Sequence, residues 1–313
     1  MTPPPTPLLF AGAEEYNAIW ARAAAAVPEI DLVFHRPGID VTPFEYLMMW
    51  RPVPGLIAAM PRLKALFSFG AGIERLLAHP EIPADLPIVR MVEPGLTEGM
   101  AQYVLWQVLR HHRRIWELEA AEAEARWAPH LYPPAWERKV GILGLGHLGA
   151  ASAGLLALMG FPLRGWSRSR KEVPGVESFA GGAELPAFLS GLDILVCLLP
   201  LTAETRGILN RDLFAQLAPG ACLVNAGRGG HLVEADLIPA LDSGQLAAAS
   251  LDVFATEPLP ADHPFWAHPR ITMTPHNASD TDPVTGLREV ARQIKAHRRG
   301  EPLRHVAERA RGY

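Results

Sequence analysis

Short apolar runs alternate along this chain with longer stretches in which apolar positions return every three or four residues. The runs fit strands buried on both faces, and the longer stretches fit amphipathic helices. In the N-terminal third, residues 7–12 read as a strand, 14–26 as an amphipathic helix and Ile30–Phe34 as a strand. Strands follow at 46–50, 63–69 and 87–92, with a short helical piece at 55–60. From residue 98 the pattern stays helical to about 126, long for a globular helix, which predicts a bridge between domains or a face for a partner chain. A proline-rich loop over 127–136, with Pro129, Pro133 and Pro134, ends it.

The second half repeats the alternation. Strands read at Val140–Leu143, 161–166, 194–199, 222–225, 249–254 and 271–274, and helices at 150–159, 184–189, 212–217 and 234–241. A last helix, 282–298, comes after the strands and predicts a return to the first domain. Strands alternating with helices imply parallel sheets covered on both faces. The expected class is α/β, with two doubly wound parallel-sheet domains, the second of about six strands. Ligands of such sheets lie at the carboxyl ends of the strands.

Between strand 140–143 and helix 150–159 stands Gly144-Leu145-Gly146-His147-Leu148-Gly149. In this context the three glycines have separate duties: a tight turn at Gly144, close approach to a pyrophosphate at Gly146, and tight helix–strand packing at Gly149. The diphosphate would rest on the unpaired N–H groups at the start of the helix. An ordinary strand–turn–helix is the competing reading. His147 either touches the pyrophosphate or points to solvent. The end of the next strand selects the cofactor, because an NAD site carries an acidic residue there for the ribose hydroxyls. This chain has Ser167-Arg168-Ser169-Arg170-Lys171 instead. Cations and hydroxyls suit a 2′-phosphate, so NADP(H) is preferred and NAD(H) is the alternative.

Three polar residues stand just past consecutive strands of the second sheet: Arg228, Glu257 and His276. A 2-oxo acid accepting hydride needs a proton donor and a positive neighbour for its carbonyl oxygen. His276 supplies the proton, Glu257 favours its imidazolium, and Arg228 holds the carboxylate and polarises the carbonyl. Singly, each residue also fits an ion pair, a solvated acid or a packed histidine. Asp252 reads as an acid within an apolar strand, which calls for a polar partner; the nicotinamide carboxamide is a candidate. In the first sheet the amides of Ala71 and Gly72, ahead of a helix beginning near Ile73, form either a carboxylate nest or a plain turn. Trp50 and Arg51 either wall a substrate or are a packed ring and a surface cation. His111, His112, His263 and His268 read as structural.

Composition narrows the class further. The 313 residues are 49% hydrophobic and 20% charged with net charge −4, which is globular and lacks a basic face for nucleic acid. No apolar run reaches membrane-spanning length, and the N-terminal MTPPPTPLLF lacks a leader pattern. Cys197 and Cys222 sit in apolar runs without disulfide or zinc spacing, as in a reducing, cytoplasmic setting.

Taken together, residues 69–74, 144–149, 198–202, 225–229, 251–258 and 274–276 resemble the D-isomer-specific 2-hydroxyacid dehydrogenases over nearly the full chain. Residues 166–171, 174–181 and 309–313 are most similar to a bacterial glyoxylate/hydroxypyruvate reductase branch. The resemblance implies a Rossmann cofactor domain, 99–280, inserted into a flavodoxin-like substrate domain, 1–98 with 281–313. It implies an NADPH-preferring reductase of small 2-oxo acids with Arg228, Glu257 and His276 as the catalytic set. Ala71 and Gly72 would hold the carboxylate, and Leu148, Leu199, Pro200, Ala226 and Gly227 would line the cofactor. A homodimer formed through 98–126 is implied too. Three departures border the substrate: Arg51 where the branch often has His, Gly227 in place of a bulkier residue, and the polar Asn277-Ala278-Ser279-Asp280. Two alternatives stand beside this reading, a non-catalytic nucleotide sensor and a reductase of a larger 2-oxo acid.

Overall fold

The computed structural model describes residues 4–313. The stretch MTPPPTPLLF, read as carrying no leader, begins outside the described residues and is strand from Thr6. The chain divides into two compact units, 1–96 with 280–313 and 97–279.

The first unit contains β1 (Thr6–Ala11), α1 (Glu14–Ala24), β2 (Ile30–Phe34), β3 (Tyr46–Met49), β4 (Ala65–Phe67), α2 (Glu74–Leu77) and β5 (Ile88–Val89). Its strands are parallel in the order β2-β1-β3-β4-β5, the flavodoxin-like arrangement. Every residue of β3 and β4 is buried, which is why they read as continuous apolar runs and not as alternating ones.

The crossing helix α3 (Pro94–His112) leads to α4 (Ile115–Ala123), β6 (Val140–Leu143), α5 (His147–Leu158), β7 (Leu163–Ser167), β8 (Val176–Ala180) and α6 (Gly181–Leu189). Then come β9 (Ile194–Cys197), α7 (Arg211–Phe214), β10 (Ala221–Asn225), α8 (Glu234–Asp242), β11 (Leu246–Leu251) and β12 (Ile271–Met273). Among the described residues these strands form one parallel seven-stranded sheet, β12-β11-β10-β9-β6-β7-β8. The sequence order reverses at β6–β9, the switch point of the dinucleotide-binding fold. Its two faces bury alternate residues of the same strands. Leu143, Leu195 and Leu223 join one apolar cluster, whereas Ile142, Val196 and Val224 join the other. The final helix, α9 (Pro283–Arg298), belongs to the first unit and packs on α1 there. Glu93, 2% exposed, binds both crossing segments on the first unit's side: it accepts from the amides of Gly95, Leu96 and Asp282 and from the Thr285 hydroxyl.

Several expected elements differ. The helix expected over 98–126 is two helices, interrupted at Arg114, whose φ is +50°. The break turns Trp116 into the interior, 9% exposed and against the His111 ring, and the Arg114 guanidinium folds onto Glu117. In place of the helical piece expected at 55–60, residues 54–59 form turns, as Gly55 has φ +75° and Pro54 and Pro61 bound the segment. The strands expected at 63–69 and 87–92 shrink to β4 and β5, and the helix near Ile73 is one turn. The second sheet has seven strands and not six: β8 is a partly exposed edge strand without the buried apolar signature. Finally, β11 stops at Leu251, so Asp252 lies just past the strand and not within it.

Candidate active site

β10, β11 and β12 are neighbours in the sheet, so the residues just past them emerge on one edge. The His276 turn is built from below. Asp252, 2% exposed, accepts at Oδ1 from the Thr274 hydroxyl (2.6 Å) and the Asn277 amide (3.0 Å), and the Ala278 amide points at both its oxygens (3.1 Å). The Asp252 carbonyl accepts the His276 amide at 2.8 Å. Tyr103 of α3 bonds the Thr274 hydroxyl at 2.8 Å, and burial pushes its phenol up to about 12. So fixed, His276 adopts φ +54°, in the left-handed region that few non-glycine residues occupy.

The Glu257 carboxylate lies 2.8 Å from His276 Nδ1 and accepts the Phe254 amide at 3.0 Å through its other oxygen. An ionised carboxylate only accepts, so Nδ1 carries hydrogen and Nε2 is the ring atom that exchanges a proton. Both side chains are about a quarter exposed, at 29% and 26%. Arg228 follows β10. Its amide donates to His231 Nδ1 (3.0 Å) and its guanidinium to the Gly227 carbonyl (2.7 Å). A Cβ on Gly229 would stand 1.9 Å from the Phe254 carbonyl, so glycine there lets the Arg228 loop lie against the Glu257 loop.

At the switch point, Gly144 has φ +105°, and a Cβ on Gly149 would stand 1.9 Å from the Gly144 carbonyl. A Cβ on Gly146 would meet nothing within 4 Å, so the turn is open on the side from which a diphosphate approaches. The residues fit a dinucleotide. His147 and Arg168 are exposed, and Leu148 is half-buried. The Ser167 hydroxyl donates to the Ser169 carbonyl at 2.7 Å, and Arg170 reaches the Ser178 carbonyl and, at 2.5 Å, Glu184. Leu199 and Pro200 follow β9, and buried Ala226 and Gly227 follow β10.

The remaining candidates belong to the first unit. Trp50 follows β3, with the Arg51 and Arg75 guanidinium groups 5.5 and 5.8 Å from its ring centre. Past β4, the Ser68 hydroxyl donates to the Gly70 carbonyl and accepts the Gly70 amide, bracing the loop into half-buried Ala71 and Gly72.

Comparison with known proteins identifies the family. The family model for the "D-isomer specific 2-hydroxyacid dehydrogenase, NAD binding domain" matches residues 105–278. The glyoxylate/hydroxypyruvate reductase A of Serratia proteamaculans (strain 568) is 44% identical over 310 residues, 97% of this chain and 97% of that protein. The chain belongs to the D-isomer specific 2-hydroxyacid dehydrogenases. Two solved structures of the family are similar throughout. A dehydrogenase from Xanthobacter autotrophicus Py2, in complex with NADPH and MES, has TM-score 0.94 and 41% identity, covering 99% of this chain and 100% of that one. An NADPH-dependent glyoxylate/hydroxypyruvate reductase from Sinorhizobium meliloti, in complex with NADP and sulfate, has TM-score 0.93 and 39% identity, covering 98% and 100%.

Within this dehydrogenase fold the structure also brings forward residues that the sequence reading passed over. His231 is fully buried beside Arg228, and Thr274 and Tyr103 support Asp252. Glu184 holds Arg170. A histidine three residues after an arginine at a strand end was the available signal for His231. Nothing local marks Tyr103 or Glu184, which lie far away in sequence.

Proposed function

We propose that this protein reduces glyoxylate and hydroxypyruvate to the corresponding 2-hydroxy acids with NADPH. The observation that carries the reading is the His276 Nδ1–Glu257 pair at the end of β12, with Arg228 two strands away on the same edge. NADPH, when bound, supplies the hydride to the carbonyl carbon. His276 Nε2 delivers the proton to the carbonyl oxygen, and Glu257 stabilises the imidazolium that makes this possible. Arg228 binds the substrate carboxylate and polarises the carbonyl, and the Ala71 and Gly72 amides are donors suited to a carboxylate. Trp50 and Arg51 shape the substrate's surroundings. Gly144, Gly146, His147, Leu148 and Gly149 receive the diphosphate. Ser167, Arg168, Ser169 and Arg170 receive the 2′-phosphate. Leu199, Pro200, Ala226, Gly227 and Asp252 flank the nicotinamide. NAD(H) is the weaker cofactor in this reading.

The test is NADPH oxidation with a panel of 2-oxo acids, followed by His276→Ala. The expected result is turnover with glyoxylate and hydroxypyruvate that falls roughly 10²–10⁴-fold in the variant while NADPH affinity is retained. No oxidation with any small 2-oxo acid refutes the reading and favours a nucleotide sensor. Preference for a bulky 2-oxo acid moves the substrate class instead.

The same reading includes a cytoplasmic homodimer. Trp106, Trp127, Leu131 and Trp136, on α3 and the loop after α4, are 51%, 95%, 97% and 70% exposed, large apolar side chains available for a partner chain to cover. Both cysteines are free and buried, as suits a reducing compartment. Light scattering that finds a monomer at micromolar concentration removes the dimer.

A further inference from the structure

We infer that His231 is a positioning residue for Arg228, acting as a neutral imidazole that sets the backbone from which the guanidinium projects. The side chain is 0% exposed, and its two nitrogens have different duties. Nδ1 lies 3.0 Å from the Arg228 peptide nitrogen, which only donates, so Nδ1 is the acceptor. Nε2 lies 3.2 Å from the Pro200 carbonyl, which only accepts, so Nε2 carries the hydrogen. The ring is therefore the uncharged Nε2–H tautomer, and it ties the loop after β10 to the loop after β9. Both ends of this strut are themselves held. The Pro200 carbonyl also accepts the Thr205 hydroxyl at 2.7 Å, and the Arg228 carbonyl accepts from the Asn225 side chain at 3.2 Å.

Gly227 is the steric counterpart of this strut. A Cβ there would stand 2.9 Å from His231 Nδ1 and 3.1 Å from the Leu199 carbonyl, so the ring and the Leu199 loop occupy the space a larger residue would need. The departure at 227 noted in the sequence is thus matched to the imidazole behind it, and it does not by itself enlarge the substrate's space. Arg228 sits at the N-terminal boundary of a single 3-10 turn, Gly229–His231, too short to hold its orientation alone. A buried side-chain bond to its amide supplies what that turn lacks.

The inference rests on Arg228 contacting substrate, so the experiment separates the two. His231→Leu removes both ring bonds. His231→Asn leaves a carbonyl where Nδ1 accepts and loses the bond to Pro200. With NADPH bound, His231→Leu is expected to raise the inhibition constant of oxamate and lower kcat/KM for 2-oxo acids by roughly ten- to a hundred-fold, the scale of one buried hydrogen bond. The NADPH dissociation constant, read by nucleotide fluorescence, should stay within about threefold, and His231→Asn should recover most of the loss. A purely packing role predicts instead that Leu and Asn behave alike and that NADPH and oxamate affinities fall together; that outcome overturns the inference. Should His231→Leu fail to fold, ¹⁵N chemical shifts of the wild-type imidazole decide: Nε2–H is expected, and Nδ1–H or imidazolium refutes it. Arg228→Lys is the control. If it turns over normally, the Arg228 reading fails and this inference with it; if it is impaired while His231→Leu is not, only this inference fails.

Discussion

Removing the Asp252 carboxylate tests how the His276 turn is supported. The carboxylate has three donors: the Thr274 hydroxyl and the amides of Asn277 and Ala278. In Asp252→Ala the Thr274 hydroxyl keeps Tyr103 as a partner, and the amide of exposed Asn277 turns to water. Ala278 is 7% exposed, and its amide has no such recourse. One stranded buried amide costs about 1–3 kcal/mol, and loss of the charge-assisted bonds adds to it, for a total of about 2–4 kcal/mol. For a unit of this size that is roughly 5–15 °C in the melting temperature. Asp252→Asn keeps an acceptor for Thr274 and Asn277 but turns an amide nitrogen toward the Ala278 N–H, and should lose about half as much. The assay is calorimetry of each variant, with kcat and NADPH affinity measured below the transition. Turnover should fall together with stability, because the His276 amide is bonded to the Asp252 carbonyl. A melting temperature within about 2 °C of wild type refutes the strut. If NADPH affinity alone collapses, the carboxylate serves the nicotinamide and not the turn.

Three further outcomes are expected. Gly149→Ala, whose Cβ would stand 1.9 Å from the Gly144 carbonyl, should cost about 1–3 kcal/mol of stability and abolish cofactor binding, while Gly146→Ala, with open space around it, should fold normally yet bind NADPH weakly; equal melting temperatures would contradict the packing. Arg168→Ala and Arg170→Ala should each raise the Michaelis constant for NADPH more than for NADH, and loss of Arg170 also removes its bonds to Ser178 and Glu184; equal effects on the two cofactors in both variants would exclude 2′-phosphate recognition by this turn. Burial, reinforced by Arg110 and Arg138, pushes the His111 imidazole down to about 3, so the folded chain excludes a proton that the unfolded chain binds below its ordinary 6.5. Stability should therefore be unaffected by this group above pH 6.5 and fall between 6.5 and about 3, by at most about 1.4 kcal/mol per pH unit. His111→Gln should flatten that decline in urea titrations, and an unchanged slope would exclude the group.

Local chemistry made much of this protein legible in its sequence. Runs such as Val140–Leu143 and Ile194–Cys197 are apolar throughout because both faces of a parallel sheet are buried, so strand and fold class follow from composition within a few residues. The glycine turn is legible for the same reason, since only glycine satisfies φ +105° at Gly144 and the backbone contact at Gly149. Arg228, Glu257 and His276 could be nominated because each stands within a few residues of a strand end. What remained hidden depends on separation in the chain. Tyr103 and Thr274, or Arg170 and Glu184, meet only after the helices have docked, and no local pattern records the meeting. The edge strand β8 escaped because half-exposed strands lack the apolar signature, and the kink at Arg114 because burial of Trp116 outweighed local helix propensity. The identity of the groups around His276 is a property of the sequence; the tautomer of His231, the bonds on Asp252 and the partner of Arg170 exist only once tertiary packing has excluded water from them.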